Sequence, residues 1–168
     1  MSESTAVYSL DANVLIQAWQ KYYSPKICPD YWDVLNELGK DGRIFLAEEI
    51  KEEITRTDDD LSAWLKSSSI PIRKTDGNVT GCWGNILAAN NDHQYLVAEA
   101  KGRSLGDPWV ISHALDARAI VVTKEEFVRN YKPTKIKIPN VCDNMGIGWL
   151  NDFQFIEAVG LRFSCNLP

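Results

Sequence analysis

Two acids in this sequence stand at boundaries where a helix begins. Asp11 closes the apolar run Val7-Tyr8-Ser9-Leu10 and leads into Ala12-Asn13-Val14-Leu15-Ile16, and Asp107 lies within Gly106-Asp107-Pro108-Trp109-Val110-Ile111. Glu48, Glu49, Glu52 and Glu53 lie between them, and Thr123-Lys124-Glu125 follows the apolar run Ala119-Ile120-Val121-Val122. In an α/β sheet, acids at the carboxyl ends of different strands converge on one crevice. Carboxylates gathered there repel one another unless a cation sits among them, so the pattern points to a divalent metal.

Each acid also has a purely structural reading. Asp is a preferred helix N-cap, which alone accounts for Asp11. Asp107 is followed by Pro108, whose missing N–H suits a first helical position, so Asp107 reads as an N-cap as well. A cap acid nonetheless sits at the positive helix end, where the dipole keeps it ionised and ready for a metal. The glutamates read first as a solvated helix face. Glu49 and Glu53 are four residues apart and share that face, beside the core-directed Ile50 and Ile54, so they are better placed than Glu48 or Glu52, with Glu53 ahead of Glu49. Glu125 alone would be a loop acid, and Asp143 has a weaker claim. Thr123 is suited to orienting a carboxylate or a metal-bound water. Singly each site favours the structural reading, whereas acids after successive strands, in this order, favour a common site.

The elements that must position these residues alternate strand and helix. Residues 7–10 read as a strand and 13–23 as a helix, then 31–38 as a helix and 43–46 as a strand. A helix over 47–56 follows, then one containing Leu61, Trp64 and Leu65. Residues 70–72 read as an edge segment because Pro71 cannot donate to a ladder. The stretch 77–84 reads as turn-rich, 85–89 and 92–100 as helical, 107–117 as a helix and 119–123 as a buried strand. In the tail, 135–138 alternates like a half-exposed strand, 140–145 suits a short helix and 149–158 a final helix. The alternation argues for a parallel α/β sheet.

The chain has 168 residues, a net charge of −5 and a pI near 5.0, which fits one domain over 1–168 and excludes a globally basic nucleic-acid trap. Cys28, Cys82, Cys142 and Cys165 are scattered, away from His93 and His113, so zinc-site spacing is absent. The polar start Met-Ser-Glu-Ser-Thr runs straight into a strand without a secretory leader, and no apolar run is long enough for a membrane span. These features favour a cytoplasmic protein with reduced thiols. The six tryptophans read as core or interface anchors. The best local basic patch is Arg129, Lys132, Lys135 and Lys137, with Tyr131 available to stack on a base. His113 reads as a packing residue.

Ser9-Leu10-Asp11-Ala12-Asn13-Val14-Leu15-Ile16 resembles the opening motif of PIN-domain nucleases, in which a strand delivers a metal-binding Asp with Asn or Ser two positions later. Residues 43–54 are similar to the family's strand and helix bearing a Glu, here aligned with Glu53. Gly106 to Ala114 resembles the third-acid motif. Ile120-Val121-Val122-Thr123-Lys124-Glu125 is similar to the strand bearing the fourth, with Lys124 and Glu125 where Asn and Asp are usual. Lys137-Ile138-Pro139-Asn140-Val141-Cys142 resembles an uncharacterised PIN-like subgroup.

The resemblance implies a three-layer α/β/α sandwich around a mainly parallel sheet, with a core over about 7–145 and a helical or irregular extension over 146–168. It implies an endoribonuclease that uses Mg²⁺ or Mn²⁺ held by Asp11, Asp107, Glu53 and Glu125, with Asn13, Thr123 and Glu49 in support. Such a protein is commonly the toxin of a toxin–antitoxin pair, so RNA, a cognate antitoxin and a second copy of the chain are the expected partners. The irregular fourth motif keeps open an inactive PIN-like module that binds RNA or protein.

Overall fold

The computed structural model describes residues 5–97 and 106–168. Five short strands, β1 (Tyr8–Leu10), β2 (Ile44–Ala47), β3 (Ile72–Arg73), β4 (Ile120–Val122) and β5 (Trp149–Leu150), form one sheet in the order β3-β2-β1-β4-β5. Every pairing is parallel, and Tyr8 lies opposite both Ile44 and Ile120. β1, β2 and most of β4 are buried, as strands covered on both faces must be.

Between the strands run α1 (Ala12–Gln17), α2 (Pro29–Lys40), α3 (Glu48–Thr55), α4 (Asp60–Ser67), α5 (Gly77–Ala89), α6 (Asp107–Ala117) and α7 (Ile138–Met145), and α8 (Asp152–Ala158) follows β5. The chain steps outward from β1 through β2 to β3, then returns across to β4 and β5. Right-handed crossovers therefore place α1–α4 on one face and α5–α7 on the other, giving three layers. Trp19, Trp32 and Trp64 pack together on the first face. Trp83 of α5 faces Trp109 of α6 on the second. Trp32 is buried, and the other five tryptophans pack against the core while half-buried, which agrees with their reading as anchors.

Several elements depart from the sequence expectations. The helix expected over 13–23 is α1 continued by a π-helical turn, Ala18–Tyr22. Residues 77–84 are helical despite three glycines, because Asp76 caps both Asn78 N and Val79 N, and Val79 and Ile86 are buried. The stretch 92–100 begins as a 3₁₀ segment, Asn91–Leu96, and residues 98–100 lie outside the described residues. Residues 135–138 form no strand: a 3₁₀ turn, Pro133–Lys135, runs into α7, which starts two residues earlier than expected. The expected final helix over 149–158 is split, because Trp149 and Leu150 pair with Val121 and Val122 as β5 before Asn151 caps α8. In these places long-range pairing overrode local pattern.

Candidate metal and nuclease site

The strand order reverses between β1 and β4, the point at which an open α/β sheet binds its ligands. Asp11 follows β1 and Thr123 follows β4, so both stand at the carboxyl edge of that crevice. Asp11 is 4% exposed, and its carboxylate is fixed at both oxygens. Oδ1 accepts from Ala12 N at 2.8 Å, as an N-cap does, and Oδ2 accepts from Thr123 Oγ1 at 3.0 Å. The Thr123 oxygen accepts in turn from Glu125 N at 3.1 Å. One hydroxyl thus ties the first acid to the segment carrying the last.

Burial is the main force on Asp11 and pushes its carboxyl up to about 7. The hydrogen bonds from Thr123 and Ala12 oppose the rise, while the negative fields of Glu125 and Glu53 add to it. Glu53 lies half-buried on α3, and among the glutamates of that helix it is the one whose field reaches Asp11. Glu125 Oε2 accepts from Ile138 N at 2.7 Å, and Oε1 lies 4.0 Å from Lys137 Nζ. Asp107 is 6% exposed. It is the first residue of α6, after Gly106 as N-cap, with Pro108 second, which corrects its expected place by one position. Because α6 runs back toward the start of β4, its N-terminus lies at the same sheet edge. Ser9 Oγ donates to Val110 O at 3.0 Å, tying the first turn of α6 to β1 two residues before Asp11.

The supporting residues divide. Thr123 touches Asp11, but Asn13 is exposed and no hydrogen bond links it to that acid. Glu49 is turned elsewhere: its Oε1 accepts from Thr75 Oγ1 at 2.5 Å, and Oε2 is buried with no hydrogen-bond partner. Thr75 N donates to Glu48 Oε1 at 2.7 Å. Having donated its one proton to Glu49, Thr75 Oγ1 must accept from His113 Nε2 at 3.1 Å, which fixes that tautomer. Burial lowers the His113 pKa, so the ring is neutral, packed against Phe45 and without a catalytic position. Sequence reasoning passed over Thr75, although it stands two residues beyond β3, near a strand end as Thr123 is.

Asp143 accepts from Trp149 Nε1 and serves packing. Arg129, Lys132 and Lys135 are exposed, whereas Lys137 is half-buried near Glu125. Tyr131 is packed against the core, and its hydroxyl accepts from Asn144 Nδ2. Lys124 Nζ forms a 2.9 Å ion pair with Asp152, a partner that sequence reasoning missed.

Among the described residues, no three His, Cys, Asp or Glu side chains converge as a ready-made metal cage. Glu53 and Glu125 reach Asp11 through their fields rather than through a shared coordination sphere. The donors are all oxygen, and the central one is a carboxyl whose hold on its proton is raised chiefly by burial. Mg²⁺ keeps several waters and binds through one or two carboxylates plus substrate phosphate, so this donor set fits it without a closed cage.

No helix of the described residues is long and apolar enough to cross a membrane. Residues 8–163 match the model of the family described as "Domain of unknown function (DUF4411)". No curated protein matches the chain. Among solved structures, a chain of VapBC2 from Rickettsia felis, bound to a DNA fragment from their promoter, is similar at 17% identity and a TM-score of 0.56. That likeness covers 86% of this chain and 98% of the other. A chain of DNA-bound VapBC from Salmonella typhimurium is similar at 15% identity and a TM-score of 0.51, covering 88% and 98%. At such identities the likeness is one of fold, and the PIN-like α/β/α sandwich expected from the motifs is the fold observed.

Proposed function

The chain belongs to the DUF4411 family, and we propose that it works as a divalent-metal-dependent endoribonuclease, the toxin of a toxin–antitoxin pair. The observation that carries this reading is Asp11: a buried carboxylate at the β1/β4 switch point, oriented by Thr123 and set in the fields of Glu53 and Glu125. Such a group is poorly suited to stability alone and well suited to hold a cation.

Asp11 and Asp107 would be the principal ligands of Mg²⁺ or Mn²⁺, with Glu53 and Glu125 completing the set directly or through water. When bound there, such an ion would supply activation of a water and stabilisation of charge at the phosphodiester. The protein's own part is orientation. Ala12 N and Thr123 Oγ1 fix the Asp11 rotamer, and Ile138 N with Lys137 positions Glu125. Arg129, Lys132 and Lys135 lie exposed to receive flanking phosphates. The similar VapBC complexes support a protein partner, and a second copy of the chain belongs to the same reading.

Single-stranded RNA incubated with the purified chain and Mn²⁺ is expected to be cleaved, with chelator and Asp11→Asn each abolishing cleavage. Cleavage that survives Asp11→Asn would sink the assignment. The second reading, an inactive module that binds RNA or protein through this fold, is favoured by Lys124 and Glu125 at the fourth motif. Retained RNA binding by a chain that cleaves nothing in Mg²⁺ or Mn²⁺ would establish it.

A further inference from the structure

Beside the acid site lies a surface cavity of about 370 Å³ whose lining includes Tyr22, Lys124, Glu125, Glu126, Phe127 and Phe153. Glu125 belongs to both: it lines the cavity, and its charge acts on Asp11. A strand with a phosphate at Asp11 would therefore carry a neighbouring nucleotide past this opening.

The cavity's own chemistry is partly satisfied. Lys124 Nζ is paired to Asp152 at 2.9 Å and stands 4.5 Å from the Tyr22 ring centroid and 5.2 Å from that of Phe153. Those two rings meet edge to face at 6.1 Å. The internal lysine thus already fills the cation position over the aromatic rings. Tyr22, Phe127 and Phe153 nonetheless stay 44%, 47% and 52% exposed.

We propose that this cavity receives an unpaired nucleobase of single-stranded RNA, next to the phosphate cleaved and stacked on Phe153 and Phe127. The inference rests on the ribonuclease reading above and names how that site takes its substrate. A phosphate is disfavoured here, because Glu125, Glu126 and Asp152 surround a single lysine whose charge Asp152 already meets. A cationic side chain from a protein partner is disfavoured too, since Lys124 already takes one face of the Tyr22 and Phe153 rings and pairs with Asp152. A neutral planar ring suffers neither repulsion, and every base offers a π-face. Exposed Glu126 is the acceptor available to an exocyclic amino group, so adenine, cytosine or guanine should be held better than uracil.

The test measures binding of fluorescent single-stranded RNA by the full chain carrying Asp11→Asn, alone and with Phe153→Ala or Phe127→Ala. Both phenylalanines are half exposed, and unchanged melting temperatures would verify that the fold survives. Each substitution is expected to weaken binding about tenfold, since base stacking is worth roughly 1–3 kcal/mol per base. The loss should vanish with an otherwise identical RNA lacking the base beside the cleavage position. Unchanged affinity, or an equal loss with the abasic RNA, overturns the subsite. Intact RNA binding combined with loss of a co-expressed protein partner overturns it in favour of protein docking. Phenylalanine-dependent binding by a chain whose wild type cleaves no RNA keeps the subsite and removes the nuclease. Cleavage with no dependence on either ring does the reverse.

Discussion

Asp11 weakens the fold that holds it. Its folded pKa of about 7 lies above the unfolded carboxylate value, so folding favours the protonated form. That contribution is complete below the unfolded pKa, declines as the pH rises, and is gone above about 7. Asp11→Asn keeps the shape and removes the charge. In metal-free buffer the variant should therefore melt higher than the wild type at pH 8, and the gap should close toward pH 4. The shift sets an upper bound on the order of 4 kcal/mol. Melting curves with a constant gap across that range would show that Asp11 is not held this way. Asp11 and Thr123 were legible in the sequence because an acid and a hydroxyl after apolar runs stand at strand ends. The choice among glutamates was partly legible: helical phase placed Glu49 beside Glu53, but only the fold shows Thr75 drawing Glu49 away. Asp152 pairs with Lys124 across 28 positions, a separation that no local pattern encodes.

At the scale of elements, the proposed site depends on where α3 and α6 are clamped, since they carry Glu53 and Asp107. Thr75, beyond the edge strand β3, holds Glu48 and Glu49 at the start of α3 and accepts from His113 in mid-α6. Thr75→Val keeps the shape and deletes the hydroxyl. Glu49 Oε1 would then join the already unpartnered Oε2, and His113 Nε2 would lose its acceptor. We expect a loss of about 1–3 kcal/mol in urea unfolding, together with reduced cleavage at an unchanged set of acids. Full stability and activity would show that the clasp is dispensable. The major strands and α6 could be read from buried runs and the Asp-Pro start. β5 could not, because a two-residue strand is defined by its pairing with β4 and not by its own composition. The same holds for α5, where three glycines suggested turns and packing of Trp83 on Trp109 prevailed.

The whole molecule carries a net charge of −5, and the negative fields of Glu53 and Glu125 fall on the buried Asp11 at one sheet edge. Glu53 and Glu125 act on Asp11 without closing a cage among the described residues, so on the proposed reading a divalent cation should bind the folded chain and scarcely the unfolded one. Mass action then predicts a rise in melting temperature with Mg²⁺ or Mn²⁺, worth about 2.7 kcal/mol at a hundredfold excess over Kd. For a domain of this size that is roughly 5–10 °C. The same cation should draw the Asp11 pKa down, confining the loss of stability at high pH to the metal-free protein. A titration at pH 8 separates this from general screening. Wild type should stabilise at millimolar divalent ion but not at matched ionic strength in NaCl, and Asp11→Asn should show neither response. An equal rise in the variant would place the bound ion elsewhere on the acidic surface, and no rise in the wild type would leave the four acids with structural roles alone.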